Sequence, residues 1–133
     1  MTSTSANPIF IAAPEYERLT AMAESAARRE PEMAAFLLSE LERATIVAAA
    51  GNSRIVKMGS HVRFRDDDSG RILDAQLVYP DRADPVARRI SILTPVGAAL
   101  IGLSEGQAIR WRDRGGRDKT LTVLQVQDEM AFA

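Results

Sequence analysis

The hydrophobic period of this chain changes once, and that change limits what it can fold into. From Pro14 to about Ala50, apolar residues recur every three or four positions. From Lys57 onward they alternate. The first spacing belongs to helices, the second to strands with one buried face. A chain of 133 residues with a single switch of this kind is expected to be α+β, with helices first and a sheet after them.

The helical half starts at Pro14, which loses nothing in a first turn. Glu15 and Glu17 follow, near the positive end of the helix dipole. Tyr16, Leu19, Ala23 and Ala26 form one apolar stripe. Pro31 disfavours helix at Glu30, so the first helix should stop near Arg29. A second can begin at Pro31, with a stripe of Met33 or Ala34, Leu37, Leu41, Ala44 and Ala48, broadened by Phe36 and Leu38. Gly51-Asn52 is the expected stop. Two such helices and a short connection make an antiparallel hairpin over 12–52, with arms of roughly 20–25 Å at 1.5 Å per residue.

In the second half, 53–133, Val62 and Phe64 alternate with His61, Arg63 and Arg65. Asp67-Asp68-Ser69-Gly70 is a turn. Leu73, Ala75, Leu77 and Tyr79 then alternate with Asp74, Gln76 and Val78. "RRISIL", "AIRWR" and "TLTVLQVQ" are further strands. Between them "TPVGAALIG" is a short helix, with Thr94 as N-cap and Pro95 at its first position. Val96, Leu100, Ile101 and Leu103 are apolar, so this helix is expected to cover the inner face of an antiparallel sheet. The tail "DEMAFA" is expected to fray.

Composition removes several functions. There is no Cys and one His, which excludes thiol chemistry and makes a nucleophile–base pair at the lone His61 unexpected. Asp66-Asp67-Asp68-Ser69-Gly70 lacks the later Glu of a calcium loop. The first 53 residues carry net charge −3 and the rest +2. The basic half has no aromatic interleaving around "RDRGGRDK", so sequence-specific nucleic-acid binding is not expected. The start "MTSTSANPIFIAAP" is not a secretory leader, and no run approaches a membrane span. A cytoplasmic protein without a metal or other cofactor is expected.

The stretch "ISILTPVGAALIGLSEGQAIRW", preceded by "IVKMGSHVRFRD" and "AQLVYP", resembles the C-terminal domain of the bacterial Gre transcript-cleavage factors. It is more similar still to a shorter relative, the Rnk type, known as a regulator of nucleoside diphosphate kinase. The resemblance covers roughly residues 12–127. It implies an FKBP-like sheet domain around one short helix, carrying a truncated form of the Gre coiled-coil finger. It also implies a partner. Gre factors dock on RNA polymerase at the rim of its secondary channel, through the residues that open the short helix. The matching positions here are Leu93, Thr94, Pro95 and Val96.

Gre-type cleavage needs finger-tip acids that help hold a second metal ion at the polymerase's site. The tip here is Arg28, Arg29, Glu30, Pro31 and Glu32. It lacks the family's Asp-x-x-Glu spacing, and the arms are about half the family's length. The resemblance thus implies a non-enzymatic regulator that binds polymerase and competes with longer-fingered factors. The alternative is an adaptor acting on nucleoside diphosphate kinase or another metabolic enzyme; a third is an active cleavage factor. Prolyl isomerase activity is not expected, because alternation puts Phe64 and Tyr79 on core faces.

Overall fold

In the computed structural model, residues 8–48, 54–113 and 115–128 are described. The chain runs β1 (Phe10–Ala12), α1 (Ala13–Ala26), α2 (Pro31–Glu42), β2 (Thr45–Val47), β3 (His61–Asp66), β4 (Arg71–Val78), a 3-10 turn over Pro80–Arg82, β5 (Arg89–Ser91), α3 (Pro95–Leu100), β6 (Ala108–Arg112) and β7 (Asp118–Gln127). The expected stop at Gly51-Asn52 and most of the expected frayed tail lie outside the described residues.

The helical stripes hold as far as Leu41. Leu19, Ala23 and Ala26 of α1 and Met33, Ala34, Leu37 and Leu41 of α2 are buried. Both helices carry Pro in their first turn. At 14 and 12 residues, the arms are about 21 and 18 Å long.

The second helix is shorter than its pattern suggests. It ends at Glu42, and Thr45-Ile46-Val47 pairs as a strand with Phe10-Ile11-Ala12, in parallel. Ala44 and Ala48 thus lie beyond the helix. Three consecutive Cβ-bearing residues with β preference, two of them β-branched aliphatics, favour the strand there. The pair closes the root of the hairpin, since β1 enters α1 and β2 leaves α2.

The main sheet has the order β5-β4-β3-β7-β6. β3, β4, β6 and β7 pair antiparallel, as expected, but β5 lies parallel to β4. The reason is the connection. After Val78 the chain turns over Pro80–Arg82 and reverses again between Asp84 and Arg89, so it re-enters the sheet in its original direction. Val78, expected on the open face, is buried where it pairs with Ser91.

One apolar cluster joins everything. Val62, Phe64, Leu77, Leu121 and Val123 of the sheet meet Ala98, Leu100, Ile101 and Leu103 of the α3 segment, and Leu19, Leu37 and Leu41 of the hairpin. α3 packs against both α2 and β6. Each fully buried aliphatic side chain contributes about 1.5–3 kcal/mol. Gly102, at φ 80°, lets this segment touch β1: an added Cβ would sit 2.8 Å from Ile9 Cβ. Its carbonyl accepts the Phe10 N–H at 3.1 Å. Among the described residues, no helix is long and apolar enough to cross a membrane.

Candidate docking corner and hairpin tip

The corner between β5 and α3 is built by small polar groups. Ser91 Oγ accepts the Leu93 N–H at 2.9 Å. Thr94 has extended backbone, as an N-cap does, and its Oγ1 accepts the Gly97 N–H at 3.1 Å. The same hydroxyl donates to the Ser91 carbonyl at 2.7 Å. Gly97 is required by this close approach, because a Cβ there would collide with the Ser91 carbonyl oxygen.

This geometry divides the four residues singled out in sequence. Leu93 is buried, at 8% exposure, and joins the core. Thr94 has both hydrogen-bonding roles of its hydroxyl taken up within the corner. Pro95 and Val96 are half-buried and offer the corner's apolar surface.

The hairpin tip is the most solvent-exposed part of the helical half. Arg28, Arg29, Glu30, Pro31 and Glu32 are all exposed. The turn is closed by Arg29 and Glu30 N–H groups, which both reach the Ala26 carbonyl, at 3.1 and 2.9 Å. Glu30 is the N-cap of α2 by position, without a side-chain capping bond. Among the described residues, no group of three or more His, Asp or Glu is placed to hold a metal ion.

A joint fixes the hairpin to the sheet. Glu15 Oε2 accepts the Met58 N–H at 3.3 Å. Burial raises the Glu15 carboxyl above the usual range, opposed by the Met58 N–H and by Lys57 and Arg18. Arg18 lies over the Tyr79 ring, 5.7 Å from its centroid. Glu40, buried on α2, is paired with Arg43 at 2.9 Å. Glu15 was legible only as a helix-start acid, since its partner is 43 positions away in sequence.

The acidic turn has its carboxylates engaged by the fold. Asp67 accepts from Thr122 Oγ1 at 2.7 Å and Arg65 Nε at 2.6 Å. Asp66 holds Lys119 Nζ at 3.1 Å, and Asp68 holds the Thr120 N–H at 3.0 Å. These bonds clamp the β3–β4 turn onto β7. His61 stands on β3 opposite Gln76 and Gln127.

A helical hairpin rooted on a five-stranded sheet, with a capped helix corner at the sheet edge, defines a class of mixed helix-and-sheet proteins built on one shared core. Residues 51–128 match the family "Transcription elongation factor, GreA/GreB, C-term", and residues 7–47 match "Rnk N-terminus". The chain belongs to the GreA/GreB family, in its Rnk-type form. It is similar to the "Regulator of nucleoside diphosphate kinase" of Escherichia coli K12, 34% identical over 112 residues, which cover 84% of this chain and 82% of that one. A GreA from Syntrophobacter fumaroxidans is 35% identical over 77 residues, 58% of this chain and 48% of that protein. Among solved structures, "Prokaryotic transcription elongation factor GreA/GreB from Nitrosomonas europaea" superposes with a TM-score of 0.70 at 35% identity, covering 91% of this chain and 98% of that one.

Proposed function

We propose that this chain is a non-catalytic, cytoplasmic regulator that binds RNA polymerase near its secondary channel and competes there with Gre-type factors. The sheet body acts as the grip, as an FKBP-like domain. The corner Leu93-Thr94-Pro95-Val96 supplies the contact, with Pro95 and Val96 as its outward apolar part. The hairpin, a truncated coiled coil, occupies the channel mouth with Arg28, Arg29, Glu30, Pro31 and Glu32 at its end. On this reading 12–52 and 53–133 are the two functional units.

The observation that carries the reading is the hairpin itself. Its helices have 14 and 12 residues, and two arginines flank the tip glutamates. On this reading a finger of this reach stops short of the polymerase's metal centre, and the two flanking arginines oppose the sharing of a cation by the tip glutamates. The test is retention of the full chain on purified polymerase core, with and without a Gre factor as competitor. Retention that a Gre factor displaces supports the reading; no retention refutes it. Incubation with a backtracked elongation complex addresses the third possibility, since Mg²⁺-dependent shortening of the RNA would make the chain a cleavage factor.

A second reading has a specific observation behind it. The Escherichia coli relative at 34% identity is named a regulator of nucleoside diphosphate kinase. On that reading the body or hairpin contacts the kinase directly. Co-migration of this chain with purified kinase, in the absence of polymerase, would favour it.

A further inference from the structure

Residues 84–89 form a closed knuckle at the start of β5. Asp84 and Arg89 exchange backbone hydrogen bonds in both directions, at 3.0 and 2.9 Å. Asp84 Oδ1 accepts the N–H groups of Val86 and Ala87, at 3.1 and 3.4 Å. The Arg88 N–H reaches the Pro85 carbonyl at 3.2 Å. Arg88 adopts φ 60°, the left-handed region that disfavours residues with side chains. At the apex Val86 is 93% exposed.

The stem has a role in the fold. β5 is an edge strand, and edges invite pairing with other chains. The knuckle occupies the outward backbone groups of Arg89, and the Thr94 hydroxyl occupies the Ser91 carbonyl at the other end. A partner meeting this edge at those positions encounters side chains, not a free ladder. Closing the edge needs only the stem. It does not need an apolar apex held by three further hydrogen bonds.

The charged side chains exposed there are mostly arginines, three against one carboxylate, Asp81. β5 has three residues, about 10 Å of chain, so Val86 and the Pro95–Val96 corner bracket one short edge. Arg82, Arg88 and Arg89 are exposed around it. Arg88 is felt electrostatically by Asp74; Arg82 and Arg89 form no ion pair among the described residues. An apolar knob on a segment with an excess of guanidinium groups is complementary to a protein surface with a shallow apolar notch rimmed by carboxylates. Arginine is enriched among energetically dominant contacts, and the charge would steer encounter.

We propose that Val86, with Arg82 and Arg89, forms a second contact of the docking surface begun at Pro95 and Val96, and that its occupant is an acidic protein surface with an apolar notch. The inference rests on the polymerase-docking reading and assigns that chemistry to the polymerase surface beside the corner.

The test is the affinity of the full chain for polymerase core across four variants: Val86→Asp, Val86→Ile, Arg82→Glu/Arg89→Glu and Val96→Arg. Val86→Asp is expected to weaken binding about tenfold or more, and Val86→Ile to retain it. The double charge reversal should weaken binding and flatten its salt dependence. Thermal melts should be unchanged for both Val86 variants, because the side chain is exposed. Wild-type affinity in Val86→Asp overturns the inference, while loss in Val96→Arg still upholds the corner. Loss in the double reversal without loss in Val86→Asp makes the arginines a general polyanion surface and also overturns it. No binding by the wild-type chain overturns both readings.

Discussion

Thr94 and Ser91 are tied through one hydroxyl: Thr94 Oγ1 donates to the Ser91 carbonyl at 2.7 Å and still accepts the Gly97 N–H at 3.1 Å. The end of β5 and the start of α3 are held by that one group. Thr94→Ala removes both bonds. Loss of such a cap costs about 0.5–2 kcal/mol, and Thr94→Ser should recover most of it. Urea denaturation of the three proteins checks this; an alanine variant as stable as wild type would refute it. Pro95 and Val96 substitutions are accordingly cleaner reporters of docking than Thr94→Ala.

Gly97→Ala should destabilise for a steric reason. The added Cβ meets the Ser91 carbonyl oxygen and lies 3.0 Å from Thr94 Oγ1. Relief requires moving backbone, not a flexible side chain, so a loss of about 1–3 kcal/mol is expected. Gly59→Ala serves as the comparison, since nothing lies within 4 Å of its added Cβ, although φ 89° there strains any side chain. The measurement is the denaturation midpoint of both variants.

Asp67 links the acidic turn to pH. The Thr122 hydroxyl, then Arg65, hold its carboxyl below the ordinary value of 3.8. A carboxylate depressed in the folded state contributes stability above its unfolded value and loses it as pH falls through the folded one. Wild-type stability should therefore fall in the window below 3.8. Asp67→Asn should start less stable at neutral pH and lose less on acidification, so the two curves converge. Denaturation from neutral pH to about pH 2.5 follows this; parallel curves would contradict it.

Root and tip of the hairpin should respond very differently. Leu37 is fully buried between the hairpin and the body, at 0% exposure. Leu37→Ala should cost about 2–5 kcal/mol. Glu30→Gln and Glu32→Gln change exposed positions and should stay within about 0.5 kcal/mol. Should either tip variant destabilise like Leu37→Ala, the tip would have to carry contacts absent from this fold.

What was legible in the sequence was whatever local pattern determines. Pro14, Pro31 and the stripes placed both helices, and Thr94-Pro95 marked the start of α3. Alternation located β3, β4, β6 and β7. What escaped was set by distant partners. Thr45-Ile46-Val47 is strand-like by composition, but only pairing with Phe10–Ala12 ends α2 before it. The parallel entry of β5 depends on two reversals that local propensity does not orient. In the candidate site, four consecutive residues pointed to the corner, yet burial of Leu93 follows from the three-dimensional core. Val86 carried no sequence signal beyond its neighbours Asp84 and Pro85, which favour a turn without saying what its apex presents.

The pairing of Phe10–Ala12 with Thr45–Val47 gives the hairpin a clamp at its origin. Both legs are secured where they meet the body, so the distal turn bears little of the architecture. Reach can then vary as a free parameter: inserting or deleting whole helical turns beyond Leu19 and Leu37 would lengthen or shorten the projection while leaving its mounting untouched. A fold arranged this way can carry projections of different length on one body.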